Sequence, residues 1–308
     1  DSNTTASNNT AVGKAALGAN TTGIHSVAVG ANALDAFTGT GYSTAVGSGA
    51  CTSQTTGKRS VGVGYGALQD LTTGDDNVGI GVFAGQNITT ADDNTMVGNY
   101  SGNDVTTGTV NVMMGYQAGE STTTGAGNVC LGAYAGDAIT TGTQNIMLGY
   151  QVDPSAAGDN YSIVISTDQD VGKGSSTAFI APNGGNVFQD NNTTTWATTS
   201  DRRIKKNIED NIIGLEKINN IRVRNFEYRT LEEIVDFAEP KGAVVNKKGI
   251  QLGVIAQEIE EILPDVVTEE STGVKTVNPD NITWYLVNAV KELSTQVDEL
   301  KAKLNKGE

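Results

Sequence analysis

The chain has 308 residues and a formal net charge of −15, with 38 glycines and only 6% aromatic residues. Side chains large enough to fill a globular core are therefore scarce, and the composition favours a repeat protein in which small side chains stack. The acidic balance argues against nucleic-acid binding, and no apolar run approaches the roughly 20 residues that span a bilayer, so neither nucleic acid nor membrane insertion is predicted.

The first half of the chain is built from a 17-residue repeat. A glycine recurs at this spacing without a slip, at Gly13, Gly30, Gly47, Gly64, Gly81, Gly98, Gly115, Gly132 and Gly149. The positions one and three residues before it are apolar or Thr, as at Val27 and Val29, and the position between them is small or flexible. Four residues before the glycine stands Asn or Ser, as at Asn77 and Asn94. Nine stacked coils are therefore predicted over residues 1–150.

Each coil is predicted to contain one short β-strand, because glycine and β-branched residues are poor helix formers. Both strand faces are apolar, which predicts burial on both sides. The Asn/Ser column predicts a hydrogen-bonded ladder along the stack, and Thr-Thr-Gly sequences such as 72–74 predict the returning turn. The fold class is accordingly mainly β, with a β-solenoid, β-roll or three-chain β-prism shaft that rises about 4.8 Å per coil.

The cysteines and the single histidine carry no predicted chemistry. Cys51 and Cys130 lie in separate repeats at different repeat positions, which favours small buried hydrophobes over a disulfide or a metal pair. His25 has no Cys, His or carboxylate neighbour at ligand spacing, so a structural role is predicted. No cofactor and no metal are expected.

The pattern changes after Gly149. Residues 151–199 are predicted to form a β neck, and from Ser200 onward the chain becomes rich in Lys, Arg, Glu and Ile, which predicts an α+β domain over residues 200–308. Its clearest element is a helix whose apolar residues follow alternating spacings of four and three across 282–304. This spacing is typical of a coiled coil, and a trimer is preferred because the shaft needs three chains. An amphipathic helix packed on its own domain is the alternative.

Two resemblances to known families add to this interpretation. The sequence HSVAVGANA at residues 25–33 resembles the head repeats of trimeric autotransporter adhesins and similar phage-fibre repeats. Residues 200–308 resemble the intramolecular chaperone auto-processing domain of phage tail fibres and endosialidase-type tailspikes, classed among the S74 peptidases. The residues that carry this second resemblance are Ser200 to Lys205, Asn225 to Tyr228, Gly253 to Glu258, Leu263 to Val267 and the terminal helix. Together they imply an obligate homotrimer with an adhesive role.

The second resemblance also implies self-cleavage before a serine, here between Thr199 and Ser200. It assigns Ser200 as the nucleophile, Lys205 as the general base, and Asp201 and Arg203 as supporting residues of the motif. A serine needs such a base, and a lysine can serve only when its pKa falls below the ordinary ~10.4, for which burial and neighbouring cations would be responsible. Five residues along a strand would place Ser200 and Lys205 on opposite faces, so a bend or a second chain must bring them together.

These inferences predict the distal segment of a phage tail fibre for host-surface attachment, located in the virion and in the host cytoplasm during assembly. Its expected partners are two further copies of the chain, a host cell-surface glycan or protein receptor, and other phage tail proteins. Its only enzymatic activity would be one self-cleavage per chain. The alternatives are a structural spacer or head fibre without receptor binding, and a polysaccharide-degrading tailspike. The tailspike would need paired carboxylates beside aromatic residues, whereas Trp196 and Trp284 lie outside the repeats, and no aromatic platform for a sugar is evident.

Overall fold

The structure, a computed structural model, describes residues 5–181, 187–189, 196–197, 200–234, 244–245, 247–270 and 273–306. The chain divides into two compact units, Asp1–Asp201 and Arg202–Glu308. Each unit has its own hydrophobic cluster of buried residues.

The first unit is a β-solenoid whose strands form one 13-stranded sheet in chain order. Its strands are β1 Thr10–Val12, β2 Val27–Val29, β3 Thr44–Val46, β4 Val61–Val63, β5 Val78–Ile80, β6 Thr95–Val97, β7 Val112–Met114, β8 Val129–Leu131, β9 Ile146–Leu148, β10 Ile163–Ser166, β11 Ala178–Ala181, β12 Val187–Gln189 and β13 Trp196–Ala197. Strands β1 to β11 pair in parallel, and β12 and β13 close the sheet in antiparallel fashion. The predicted mainly β solenoid is confirmed.

The 17-residue register extends one coil further than predicted. Ile163 of β10 pairs with Ile146 of β9, and Ser166 stands where earlier coils have the recurrent glycine. Only at β11 does the spacing shorten, with Ala178 opposite Ile163. The sheet therefore continues through the segment that was predicted to be a separate neck.

The interior of the solenoid is lined by the middle residue of each strand. Ala28, Met96 and Met113 are completely buried, whereas the residues on either side of them point outward and stay at least partly exposed. The prediction of burial on both strand faces is thus wrong for a single chain. A three-residue strand turns one side chain inward and two outward, and the small column is the inward one.

Large side chains fill the space beside small ones in this narrow interior. A Cβ atom on Gly62 would lie 2.6 Å from Cys51 Sγ, so the cysteine of the preceding coil fills the space that the glycine leaves. Further along the shaft the roles are exchanged, because a Cβ on Gly119 would lie 2.3 Å from Met113 Sδ. Both cysteines are buried free thiols, as predicted, and burial raises the pKa of each to about 12.

The recurrent glycine ends each strand where neighbouring coils come into close contact. Gly115 has a φ of +143°, and a Cβ there would lie 2.3 Å from the carbonyl oxygen of Gly132 in the next coil. Because of both the backbone conformation and the close approach, any residue other than glycine would destabilise the coil at this position. This requirement explains why the period of the glycine equals the period of the solenoid.

A ladder of buried asparagines runs along the stack, as predicted. Asn94, Asn111, Asn128 and Asn145 each donate Nδ2–H to the Oδ1 of the asparagine one coil earlier, at 3.0–3.1 Å. Each also donates Nδ2–H to a carbonyl in its own coil, such as Asn111 to Gly125 at 2.9 Å. Because the amides are completely buried and fully paired, they join successive coils without leaving unsatisfied polar groups.

The second unit is a small α/β unit that ends in a long helix, which confirms the predicted fold class of this region. Its elements are 3-10 turns at Arg202–Ile204, Leu231–Glu233 and Pro264–Val266, helices α1 Leu215–Asn220, α2 Ala256–Glu260 and α3 Pro279–Lys306, and strands β14 Arg224–Phe226, β15 Gln251–Gly253, β16 Val267–Glu269 and β17 Lys275–Val277. Strand β14 pairs with β15 and β16 with β17, both antiparallel. Its buried cluster is centred on Ile259, Leu263 and Val266.

Candidate functional site

The predicted cleavage segment follows the sheet of the first unit. Ser200 and Asp201 are the last residues of that unit, and Arg203 and Lys205 belong to the second. A 3-10 turn at Arg202–Ile204 bends the backbone, and the Lys205 N–H donates to the Arg202 carbonyl at 3.2 Å. The segment from Arg202 to Lys205 is therefore not an extended strand.

The side chains of this segment are open to solvent in a single chain. Ser200, Arg203 and Lys205 are exposed and Asp201 is half-buried, while Thr199 lies outside the residues that the structure describes. The desolvation of a lysine base that the sequence analysis expected from folding is therefore not supplied by one chain. The roles of Ser200 as nucleophile and Lys205 as base stay predictions.

The other motifs of the chaperone resemblance build the framework of the second unit. Arg224 in β14 contacts Glu258 in α2 through two hydrogen bonds, from Nη2 at 2.6 Å and from Nε at 3.1 Å. These bonds lower the pKa of Glu258. Downstream, Leu263 and Val266 enter the buried cluster, and the hydroxyl of Tyr285 in α3 donates to Asp265 at 3.0 Å. The motif residues thus join α2, the following turn and the long helix.

The first half of helix α3 is packed against the chain that precedes α1. A Cβ on Gly214 would lie 2.2 Å from the backbone nitrogen of Ala289, so only glycine allows this approach. Asn288 Nδ2 donates to the carbonyls of Asn211 and Ile213 at 2.7 and 3.1 Å, and Glu292 accepts a hydrogen bond from the Leu215 N–H. These contacts fix one side of the helix to its own unit.

The predicted coiled-coil seam is exposed in a single chain. Its residues are Leu286, Val290, Leu293, Val297, Leu300 and Leu304, and their exposed fractions range from 40% to 80%. Further large apolar side chains of the second unit, including Ile204, Ile212 and Leu252, are also exposed, whereas four hydrophobic residues are buried among those of this unit that the structure describes. Such an apolar surface is typical of a subunit that completes its core by association.

The sequence analysis missed a row of aromatic rings on the solenoid. We call it the aromatic ladder, and it consists of Tyr65, Phe83, Tyr100, Tyr116, Tyr134 and Tyr150. Successive ring centroids are 5.0, 5.7, 6.4, 5.3 and 6.2 Å apart. Each ring stands one or two residues after the recurrent glycine, so extending the columns past that glycine would have revealed the row. The repeats therefore carry aligned aromatic rings that were not predicted.

The described residues contain neither a metal-binding cluster nor a membrane-spanning helix. Within the ranges that the structure covers, no group of three or more His, Cys, Asp or Glu side chains is arranged to hold a metal ion. None of the described helices combines the length and the apolar character needed to cross a bilayer. His25 stacks on Tyr42 at 5.4 Å and lies within 3.1 Å of Asn8 Nδ2, which agrees with the predicted structural role.

The chain is thus a β-solenoid protein with a C-terminal unit whose apolar surface is exposed in one chain. Residues 200–268 match the Peptidase S74 family model, which is described as the chaperone of endosialidase. The chain thus carries a chaperone-of-endosialidase domain there, on less than a quarter of its 308 residues. A domain of this type implies autocatalytic peptidase activity and a role in assembling trimeric fibres.

Proposed function

We propose that this chain is a trimeric segment of a phage tail fibre for host attachment, assembled by its C-terminal chaperone domain, which then cleaves the chain between Thr199 and Ser200. The observation that carries the proposal is the exposed apolar seam of helix α3, from Leu286 to Leu304, in the unit whose residues 200–268 match the chaperone family model. Burying these side chains between parallel helices would remove their apolar surface from water.

The shaft offers a second surface for the same association. The outward residues of the solenoid strands form a continuous aliphatic stripe, with Val12, Ile80 and Met114 each at least 40% exposed. Three stripes packed together would bury the outer strand face that is open in one chain. This packing accounts for apolar residues on both sides of every strand.

The proposed cleavage uses the Ser200 hydroxyl as nucleophile. Its oxygen attacks the Thr199 carbonyl carbon and its proton passes to the neutral amine of Lys205. The peptide C–N bond then breaks, the Ser200 nitrogen takes up a proton, and an ester links Thr199 to the Ser200 oxygen. Water hydrolyses this ester to give a Thr199 carboxylate and a free Ser200 amine. Direct hydrolysis by water gives the same two products.

The exposure of Lys205 in one chain suggests when this chemistry starts. Its side chain is exposed to solvent there, whereas the neutral form of a lysine is favoured where water is excluded and other cations approach. Arg202, Arg203 and Lys206 from neighbouring copies would provide such cations at the trimer axis. Cleavage would therefore follow assembly, and each chain would perform it once.

The cleaved shaft would act in attachment within the virion. Its partners would be two further copies, other phage tail proteins and a host-surface glycan or protein receptor. Adsorption of the purified fibre to bacterial cells tests this role. A trimer that matures correctly but binds no cell would identify a structural spacer instead.

The test of assembly and cleavage is intact mass under denaturing conditions, together with native mass, for the wild type and for Ser200→Ala. The wild type should give fragments that end at Thr199 and begin at Ser200, and the variant should give an uncleaved trimer. Ser155→Ala, at a serine distant in sequence from the cleavage site, is the matched control and should be cleaved normally. An uncleaved wild-type chain, or a cleaved Ser200→Ala chain, contradicts the proposed chemistry.

A further inference from the structure

We propose that the aromatic ladder of the solenoid is a binding strip for a neutral polysaccharide that lies along the shaft. This inference deepens the proposed attachment function, on which it rests, by assigning the site and the chemical class of the receptor. It starts from the rings themselves, which form an unbroken row from Tyr65 to Tyr150 over six successive coils.

Successive rings of the ladder are turned relative to one another. The planes of Tyr116 and Tyr134 meet at 80°, and those of Tyr134 and Tyr150 at 85°. Rings that directly follow the recurrent glycine are the most exposed, with Tyr65 at 56%, Tyr116 at 44% and Tyr150 at 47%. The half-buried rings between them act as supports. Three tyrosines thus present rigid aromatic surface to solvent at low entropy cost.

The spacing of the exposed rings suits an extended sugar chain. Tyr116 and Tyr150 are two coils apart, or roughly 10 Å at the ordinary strand spacing, a distance that a disaccharide unit spans. Pyranose rings have apolar C–H faces that stack on aromatic rings. A linear polysaccharide would therefore place one sugar on each of these two tyrosines and, in the direction of the shaft, reach Tyr65, which is three coils or roughly 14 Å before Tyr116.

Amide side chains stand beside the rings. In the coils that supply Tyr100 and Tyr116, the adjoining residues in sequence are Asn99 and Gln117. Amides both donate and accept hydrogen bonds, as sugar hydroxyl groups do. Gln117 is bonded to Glu120, and Asn99 Oδ1 accepts a hydrogen bond from the Val82 N–H at 2.9 Å, so their positions are fixed. The strip thus offers alternating apolar and polar contacts.

The backbone supports the interpretation of the rings as a binding feature. Phe83, Tyr100 and Tyr134 have φ values of 54°, 60° and 59°, a left-handed conformation that bulky residues rarely adopt. The same position is glycine in two preceding coils, at Gly49 and Gly66. The coil therefore folds with glycine there, and the rings are not required by the turn.

The charge of the surrounding shaft selects the kind of polysaccharide. Residues 60–172 contain twelve acidic residues and no lysine or arginine. This field repels polyanions such as acidic capsules and nucleic acid. The aliphatic stripe of the strands, by contrast, lacks amide groups and fits a second copy of the chain. The ligand of the aromatic ladder is therefore a neutral glycan.

The test measures binding of the full-length protein to immobilised mannan, dextran and β-glucan, with hyaluronan as an anionic probe. We expect binding to at least one neutral polymer and not to hyaluronan. Tyr116→Ala and Tyr150→Ala, made separately, should each weaken binding roughly five- to tenfold, the range of one aromatic contact. Tyr116→Phe should retain it. Tyr161→Ala, at a 57% exposed tyrosine outside the ladder, is the matched control and should bind as the wild type does.

Three results would overturn the assignment. These are a wild type that binds none of the neutral polymers, alanine variants that bind like the wild type, and alanine variants that lose the trimer, which would make the ladder an interface between copies. Native mass and cleavage are recorded for every preparation. A cleaved trimer without glycan binding refutes the ladder alone, whereas glycan binding by an uncleaved monomer refutes the proposed assembly and leaves the ladder standing.

Discussion

The buried asparagine ladder predicts a large and specific loss of stability when one member is removed. In Asn111→Ala, the amide that donates to Asn94 and Gly125 disappears, as does the Oδ1 atom that accepts the backbone N–H and the Nδ2–H of Asn128. The Gly125 carbonyl and the Asn128 backbone N–H are the two groups left without these partners. Each unsatisfied buried group costs roughly 1–3 kcal/mol, so we expect a loss of about 4 kcal/mol per chain.

The chain itself supplies the matched comparison. Serine occupies the same column at Ser60, whose hydroxyl oxygen accepts a long hydrogen bond from the Asn77 backbone N–H at 3.4 Å. Asn111→Ser should therefore restore part of the ladder and lose about half as much stability. Asn87→Ala removes an exposed amide that bonds Asp104, and should change stability by less than about 0.5 kcal/mol.

Urea unfolding of the full-length chain, followed by far-UV circular dichroism, measures these differences, and hydrogen exchange adds a local measurement. The Asn128 amide should lose protection in Asn111→Ala, because its acceptor has been removed. A loss below about 1 kcal/mol, with unchanged protection of Asn128, would refute the view that the ladder is a principal bond between coils.

Three further predictions concern the shaft and the helix seam. Gly115→Ala should lose about 4 kcal/mol in urea unfolding, because a Cβ would lie 2.3 Å from the next coil at a φ of +143°. Gly158→Ala should be tolerated, because a Cβ there would make one ordinary contact, at 3.4 Å from Thr141 Oγ1. Burial and, secondarily, the neighbouring carboxyl of Asp137 raise the pKa of Asp153 from 3.8 to about 6, so the folded state binds this proton more tightly than the unfolded chain. The stability that this proton contributes is present below about pH 4 and is lost as the pH rises through about 6. Asp153→Asn should therefore gain about 1 kcal/mol at pH 8 after allowance for solvent screening, and nothing at pH 3.5. Leu293→Asp should convert the trimer to monomer by native mass and prevent cleavage, whereas Glu299→Ala, outside the seam, should do neither.

The strict period made most of the solenoid predictable from sequence. In a stack of equal coils, the neighbour of every residue in space is the residue 17 positions away, so a column in the sequence is also a column in the structure. The asparagine ladder and the glycine contacts follow directly from this equivalence. The strand over 161–166 was predicted but assigned to the neck and not to the repeat, because Ser166 replaces the glycine, although Ile163 and Val164 still match Ile146 and Met147.

Which face of each strand points into the solenoid was harder to predict. Alternation with a period of two fixes which residues share a face, but it does not say which face is inside. Hydrophobicity favours the larger Val and Ile columns for the interior. The deciding quantity is volume, because the narrow coil accepts Ala28 or Gly62 facing inward only when a side chain such as Cys51 fills the remaining space.

The cleavage site could be located by motif but not constructed from sequence. Ser200 and Lys205 are identified by their resemblance to a family, and the structure adds a turn between them. The environment that would activate the lysine is not encoded within one chain, because this segment is exposed there. Under the proposed mechanism neighbouring copies complete the site, and the local pattern of a single sequence does not show how copies meet.

The same regularity that made the shaft predictable creates the need for a chaperone in the proposed trimer. Its outward stripe repeats nearly identical residues every coil, as at Val61, Val78 and Val112, so sliding one chain past another by one coil loses only one coil of contact. Register must then be set where the chain is not periodic. Helix α3 and the unit that holds it are such a place, and aligning three chains there before the coils associate would remove the slipped arrangements. Once the shaft has closed, its unfolding barrier would hold the register without the template, and cleavage before Ser200 would make assembly irreversible.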